Sequence, residues 1–142
     1  MPILNIHLVA GQHAPEAVET LLRKCSQRFA EGLRCPIDRV RVFATEHAPH
    51  QMCLGGQMAS EAPPAPYFSF IVLEGRSLED RQMLLAGFTD LIVETLGVDR
   101  SRVRGGVTPV APEDWSIGGT PASVLRQAEI EARRVAAAQG KE

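Results

Sequence analysis

The chain has 142 residues, 44% hydrophobic and 23% charged, a composition that fits one compact domain or two very small ones and argues against disorder. Its formal net charge of −2, from 15 basic and 17 acidic residues, supplies no overall field to hold a polyanion, so nucleic acid is not an expected partner. No apolar run reaches the roughly 18 residues of a membrane span, and the first residues lack the regions of a signal peptide, so no membrane contact is expected and the cytoplasm is the expected location.

In chain order, ILNIHLV at 3–9 reads as a β-strand ended by Gly11, rich in branched apolar residues. Val18, Leu21, Leu22, Cys25 and Phe29 then recur at helical spacing. VRVFAT at 40–45 predicts a second strand. The loop after it holds His47, His50 and Cys53, which have neither a second ligand cluster nor a carboxylate in step, so no metal is expected. Cys25, Cys35 and Cys53 are irregularly spaced and suit reduced thiols.

After SEAPPAP at 60–66, whose prolines predict an extended linker, the order repeats. YFSFIVL at 67–73 predicts a strand ended by Gly75, and Ser77 is the expected N-cap of a helix carrying Leu84, Leu85, Phe88, Leu91, Ile92 and Leu96. VRGGVTP at 103–109 predicts the matching second strand. GGQMAS at 55–60 returns as GGTPAS at 118–123, and DRVRV at 38–42 as SRVRG at 101–105, both 63 positions on. Pro2 and Pro66, like Gly11 and Gly75, are 64 apart, so one insertion or deletion reconciles the two copies.

The fold class expected is α+β: tandem β-α-β units, about 2–60 and 66–123, forming one domain with a four-stranded mixed sheet and two helices on one face. Leu4, Ile6, Leu8, Phe68, Phe70 and Val72 should face the helices. Ile3, Asn5, His7, Val9, Tyr67, Ser69, Ile71 and Leu73 make up an opposite face too apolar to be left to water. An oligomer is expected. Over 122–138, a C-terminal helix is predicted with Val124, Leu125, Ala128, Ala132, Val135 and Ala136 in a stripe that packs on a neighbouring unit, and Arg126, Glu129, Arg133 and Arg134 outside it.

A β-α-β unit that starts Met-Pro, with Gly75-Arg76 after a first strand, Arg-Val-Arg at 39–41 and 102–104, and Gly-Gly near its end, resembles the tautomerase superfamily. The likeness spans residues 2 to about 123, twice over, and is nearest a fused 4-oxalocrotonate tautomerase, whose fold is shared with MIF-like proteins. It implies a homotrimer, an isomerase activity and no cofactor. Removal of Met1 would leave Pro2 a secondary amine. Desolvation and cationic neighbours should shift that amine towards neutrality, where it can act as a base. Pro66, locked in an amide, cannot.

By the same resemblance Arg76 holds a substrate carboxylate, while Gln12 occupies the equivalent place in the first copy. Pro2 and Arg76 would then form one site per chain across the pseudo-twofold axis. Arg41 and Arg104 match a strand arginine that binds the far end of a dicarboxylate, from the same or a neighbouring chain; Trp115, with Met52 as its counterpart, matches a pocket wall. The implied substrates are enolic 2-oxo acids of the 2-hydroxymuconate or phenylenolpyruvate type, as in aromatic catabolism. A decarboxylase of the malonate semialdehyde type, suggested by Asp38 and EDWS at 113–116, is the alternative, with a hydratase or dehalogenase beside it. Glu74 stands where the decarboxylase's second arginine would fall, and Ala30 nearest the dehalogenase's histidine. The second alternative is a non-catalytic oligomeric binding module.

Overall fold

The computed structural model describes residues 2–140. Strand β1 (Ile3–Val9) leads into helix α1 (Pro15–Leu33) and strand β2 (Arg41–His47), followed by a hairpin of β3 (Cys53–Leu54) and β4 (Gln57–Met58). The second copy gives β5 (Tyr67–Leu73), α2 (Leu78–Leu96), β6 (Arg104–Val110) and a hairpin of β7 (Ser116–Ile117) and β8 (Thr120–Pro121). Helices α3 (Ala122–Leu125) and α4 (Gln127–Gln139) close the chain.

The main sheet has the order β2-β1-β5-β6. β1 runs parallel to β2 and β5 parallel to β6, while β1 and β5 meet antiparallel at the centre, with Asn5 opposite Ser69. The repeat is physical as well as textual. Arg41 N–H donates to the Pro2 carbonyl and Arg104 N–H to that of Pro66, both at 3.1 Å. Likewise Ala59 N–H reaches Met52 O at 2.9 Å and Ala122 N–H reaches Trp115 O at 2.8 Å, and both alanines are buried.

The alternation of the strands sends Leu4, Ile6, Leu8, Phe68, Phe70 and Val72 to the helical face, where all are at most 2% exposed. From the helices Leu21, Cys25, Phe29, Leu84, Phe88 and Ile92 complete this core. Phe88 meets Phe29 and Phe70 edge-on at 5.0 and 5.1 Å, contacts worth about 0.5–1.5 kcal/mol each beyond area burial. The Ser77 hydroxyl accepts from Asp80 N–H at 3.0 Å, as a cap should.

On the open face the expected residues are in place, except that Val9 and Leu73 at the strand ends are buried within the chain itself. Phe43 and Tyr67 are 50% and 45% exposed there. Beside them, Thr45 donates to Asn5 Oδ1 at 2.7 Å, and His7 Nδ1 lies 2.8 Å from His47 Nε2.

The C-terminal helix departs from expectation in its continuity. It breaks at Arg126, whose φ of −113° and ψ of 20° end α3 before α4 begins. Its apolar stripe points outward: Val124, Leu125 and Val135 are 64%, 48% and 46% exposed, while Arg126, Ile130 and Arg133 are the half-buried positions. The basic face is the one that meets the body of the chain, because what lies beneath it is a polar cavity and not the core.

Candidate active site

A cavity of about 310 Å³ opens at the start of β1, and Pro2, Arg41, Arg76 and Trp115 all line it. Such a volume sits at the small end of ligand sites. Four separate elements bring these side chains together. Pro2, buried, is held by its carbonyl to the first residue of β2, which is Arg41 itself. Arg76 arrives from the turn after β5, where Gly75 takes a φ of 103° that strains any residue with a Cβ. Trp115 follows a short helical turn at Pro112–Asp114 and leads into β7.

Arg76 is seated by the first half of the chain. Its Nη1 donates at 2.8 Å to the carbonyl of Leu33, the last residue of α1, where the helix dipole also favours a cation. α1 ends there because Arg34 adopts the left-handed conformation, with φ 54° and ψ 47°. The Arg34 guanidinium then reaches Asp80 at 2.8 Å, fixing the end of α1 against the start of α2. Burial lowers the affinity of the Arg76 guanidinium for its proton, and the charge of Arg133 acts in the same direction.

Arg104 lies elsewhere in the chain. It begins β6 opposite Tyr67, and its Nη1 donates to the carbonyls of Ser101 and Val103 at 2.6 and 3.1 Å. The pseudo-symmetric counterpart of the cavity, lined by Pro66, Gln12 and Met52, has a volume of about 0 Å³. Thus the side that brings together the internal Pro66 and Gln12 has no room for a ligand.

The cavity also holds residues for which the sequence offered no site role: Cys35, Arg39, Arg126, Glu129 and Arg133. Arg39 and Glu129 form a two-pronged ion pair at 2.9 and 3.0 Å. The one signal in the sequence was the spacing of Arg126, Glu129 and Arg133 on a single helical face.

Fused β-α-β halves with a cavity between them define the class of protein. The family model described as "Tautomerase enzyme" matches residues 66–124. A 2-hydroxymuconate tautomerase of Pseudomonas putida is 39% identical over 61 residues, which is 43% of this chain and 95% of that protein. A probable tautomerase of Ralstonia nicotianae is 31% identical over 62 residues, 44% of this chain and 89% of its own. Among solved structures, a native fused 4-OT superposes with a TM-score of 0.81 at 28% identity, covering 87% of this chain and 98% of its own. The protein inactivated by 2-oxo-3-pentynoate, Pt0534, gives 0.80 at 25% identity with the same coverage. The chain belongs to the tautomerase family and is a 4-OT-like isomerase.

Proposed function

We propose that the chain interconverts enolic and keto forms of a 2-oxo acid, with the Pro2 nitrogen as general base once Met1 is removed. Burial and the guanidiniums around Pro2 favour a neutral amine over a charged one. The nitrogen lone pair takes the proton of the enol hydroxyl; as the oxygen becomes a carbonyl, the electrons of the conjugated system reach the distal carbon, which receives the proton back from the prolinium. No redox change accompanies the step. Arg76 binds the carboxylate, Arg41 the distal oxygens, and Trp115 closes the side of the pocket.

The observation that carries this reading is the convergence of Pro2, Arg41, Arg76 and Trp115 on one cavity, while the Pro66 side is closed. Relatives named 2-hydroxymuconate tautomerase favour that dienol as substrate. A fused 4-OT described as an asymmetric trimer, 25% identical, supports a homotrimer joined through the open sheet face, in which Arg104 would serve a neighbouring chain. Asp38, a carboxylate on the same cavity, favours decarboxylation or hydration as the second reading.

The test is intact mass to establish the N-terminus, followed by turnover of 2-hydroxymuconate and phenylenolpyruvate by the wild type and Pro2→Ala. Fast turnover by the unblocked wild type alone is expected. A wild type no faster than buffer would remove the tautomerase reading.

A further inference from the structure

Helix α4 lies beyond the residues matched by the family model, which end at 124, and none of its residues is buried. Yet it leaves apolar side chains in solvent and turns Arg126 and Arg133 towards the cavity. A helix held by hydrophobic burial would face the other way. Five arginines line the cavity against two carboxylates, Asp38 and Glu129, and Glu129 is already taken by Arg39. Among the described residues neither Arg76 nor Arg133 has an ion pair with a carboxylate. Arg76 gives one donor to the Leu33 carbonyl, which leaves the rest of its fork for a ligand. Two guanidiniums repelling each other at a partly buried site form a receptor for an anion placed between them.

We infer that α4 completes the substrate site, and that Arg133 closes over Arg76 so that the two guanidiniums grip one carboxylate of the substrate. The Arg39–Glu129 pair is the latch that sets the helix in register for this grip. The assignment deepens the tautomerase reading and rests on it for the identity of the anion as a 2-oxo acid. Arg133 is thereby a substrate-binding residue supplied by the C-terminal extension. Arg126, about two turns earlier on the same face, adds to the attraction without a position in the grip.

The experiment separates binding from turnover. Calorimetry with fumarate, an unreactive dicarboxylate, should show binding to the full chain, weakened by about ten- to a hundredfold in Arg133→Ala and partly restored in Arg133→Lys, which keeps the charge without the fork. In phenylenolpyruvate turnover, Arg133→Ala should raise KM by about the same factor with kcat within about threefold of wild type. Circular dichroism establishes that each variant is folded. Fumarate affinity unchanged in Arg133→Ala, or no affinity in the wild type, overturns the grip. If fumarate binds through Arg133 but neither enol is turned over, the grip stands and the tautomerase reading falls. Turnover with a KM indifferent to Arg133 has the opposite meaning.

Discussion

Arg39, in the turn before β2, and Glu129, on α4, are 90 positions apart and meet through two hydrogen bonds of 2.9 and 3.0 Å. Their side chains are 27% and 44% exposed, so the pair contributes no more than about 1 kcal/mol to global stability. Its effect should be local. Glu129→Gln is expected to leave the melting temperature nearly unchanged while speeding amide hydrogen exchange over 127–139. Equal exchange in both proteins would show that the pair does not hold the helix.

Loss of the Arg76 guanidinium removes a charge-assisted contact of about 1.5–3 kcal/mol or more, so Arg76→Ala should lower kcat/KM by a factor of order ten to a thousand. Arg41→Ala should act similarly on a dicarboxylate. In mixed oligomers of Arg104→Ala and Pro2→Ala chains, any activity owed to Arg104 should track the fraction of neighbouring intact chains. An unchanged kcat/KM in Arg76→Ala would take that residue out of the site.

The three thiols should react in order. Cys53 is exposed, Cys35 is half-buried beside the cavity and Cys25 is buried. Burial pushes the Cys25 thiol up to about 12, and burial also raises Cys35, where the charge of Arg76 works against it. With an aromatic disulfide reagent Cys53 should react first and Cys25 only on unfolding. A bound dicarboxylate should protect Cys35; indifference of Cys35 to the ligand would place binding elsewhere.

Gly105 faces Phe68 across β5 and β6, and a Cβ there would lie 2.0 Å from the ring. Gly105→Ala therefore overpacks the core and should cost about 1–3 kcal/mol, read from urea denaturation. The neighbouring Gly106 has nothing within 4 Å, so Gly106→Ala is the control expected to cost less. Equal effects would mean that the contact with Phe68 does not decide the residue.

Burial holds the His7 imidazole below its ordinary range, and the neighbouring His47 adds like charge when both are protonated. The native state thus resists the proton that the unfolded chain accepts near pH 6.5. This contribution to stability is complete above about pH 6.5 and is lost as the pH falls through the lowered native value. The urea midpoint should fall between about pH 7.5 and 5.5, and His7→Asn should flatten that fall. A slope unaltered by the substitution would assign the acid sensitivity to other groups.

Strands, helices and the doubled plan were legible because period-two and period-3.6 patterns record burial directly: Leu4, Ile6 and Leu8 and their counterparts lie where alternation puts them. The second strands begin one residue later than expected, at Arg41 and Arg104. The direction of α4 was not legible. An apolar stripe shows that two helix faces differ, but the facing residues decide which one docks, and these arise from Arg39, Arg76 and Trp115 far away in the chain. Pro2, Arg76, Arg41 and Trp115 were expected together from the resemblance to the tautomerase superfamily, and they line one cavity. Arg39 and Arg133 were not expected there, since their place depends on how the extension folds back.

The closed space beside Pro66 has a genetic consequence. In an assembly of separate identical units every substitution appears at every site, so a change that spoils the chemistry spoils it everywhere. A chain with both halves in one reading frame escapes that coupling. Gln12, Met52 and the amide of Pro66 could accumulate on the closed side while Arg76, Trp115 and Pro2 were retained on the open one. The first half, which carries Pro2, also carries Leu33, whose carbonyl seats the second half's Arg76. Fusion in one reading frame thus lets the two sides vary independently.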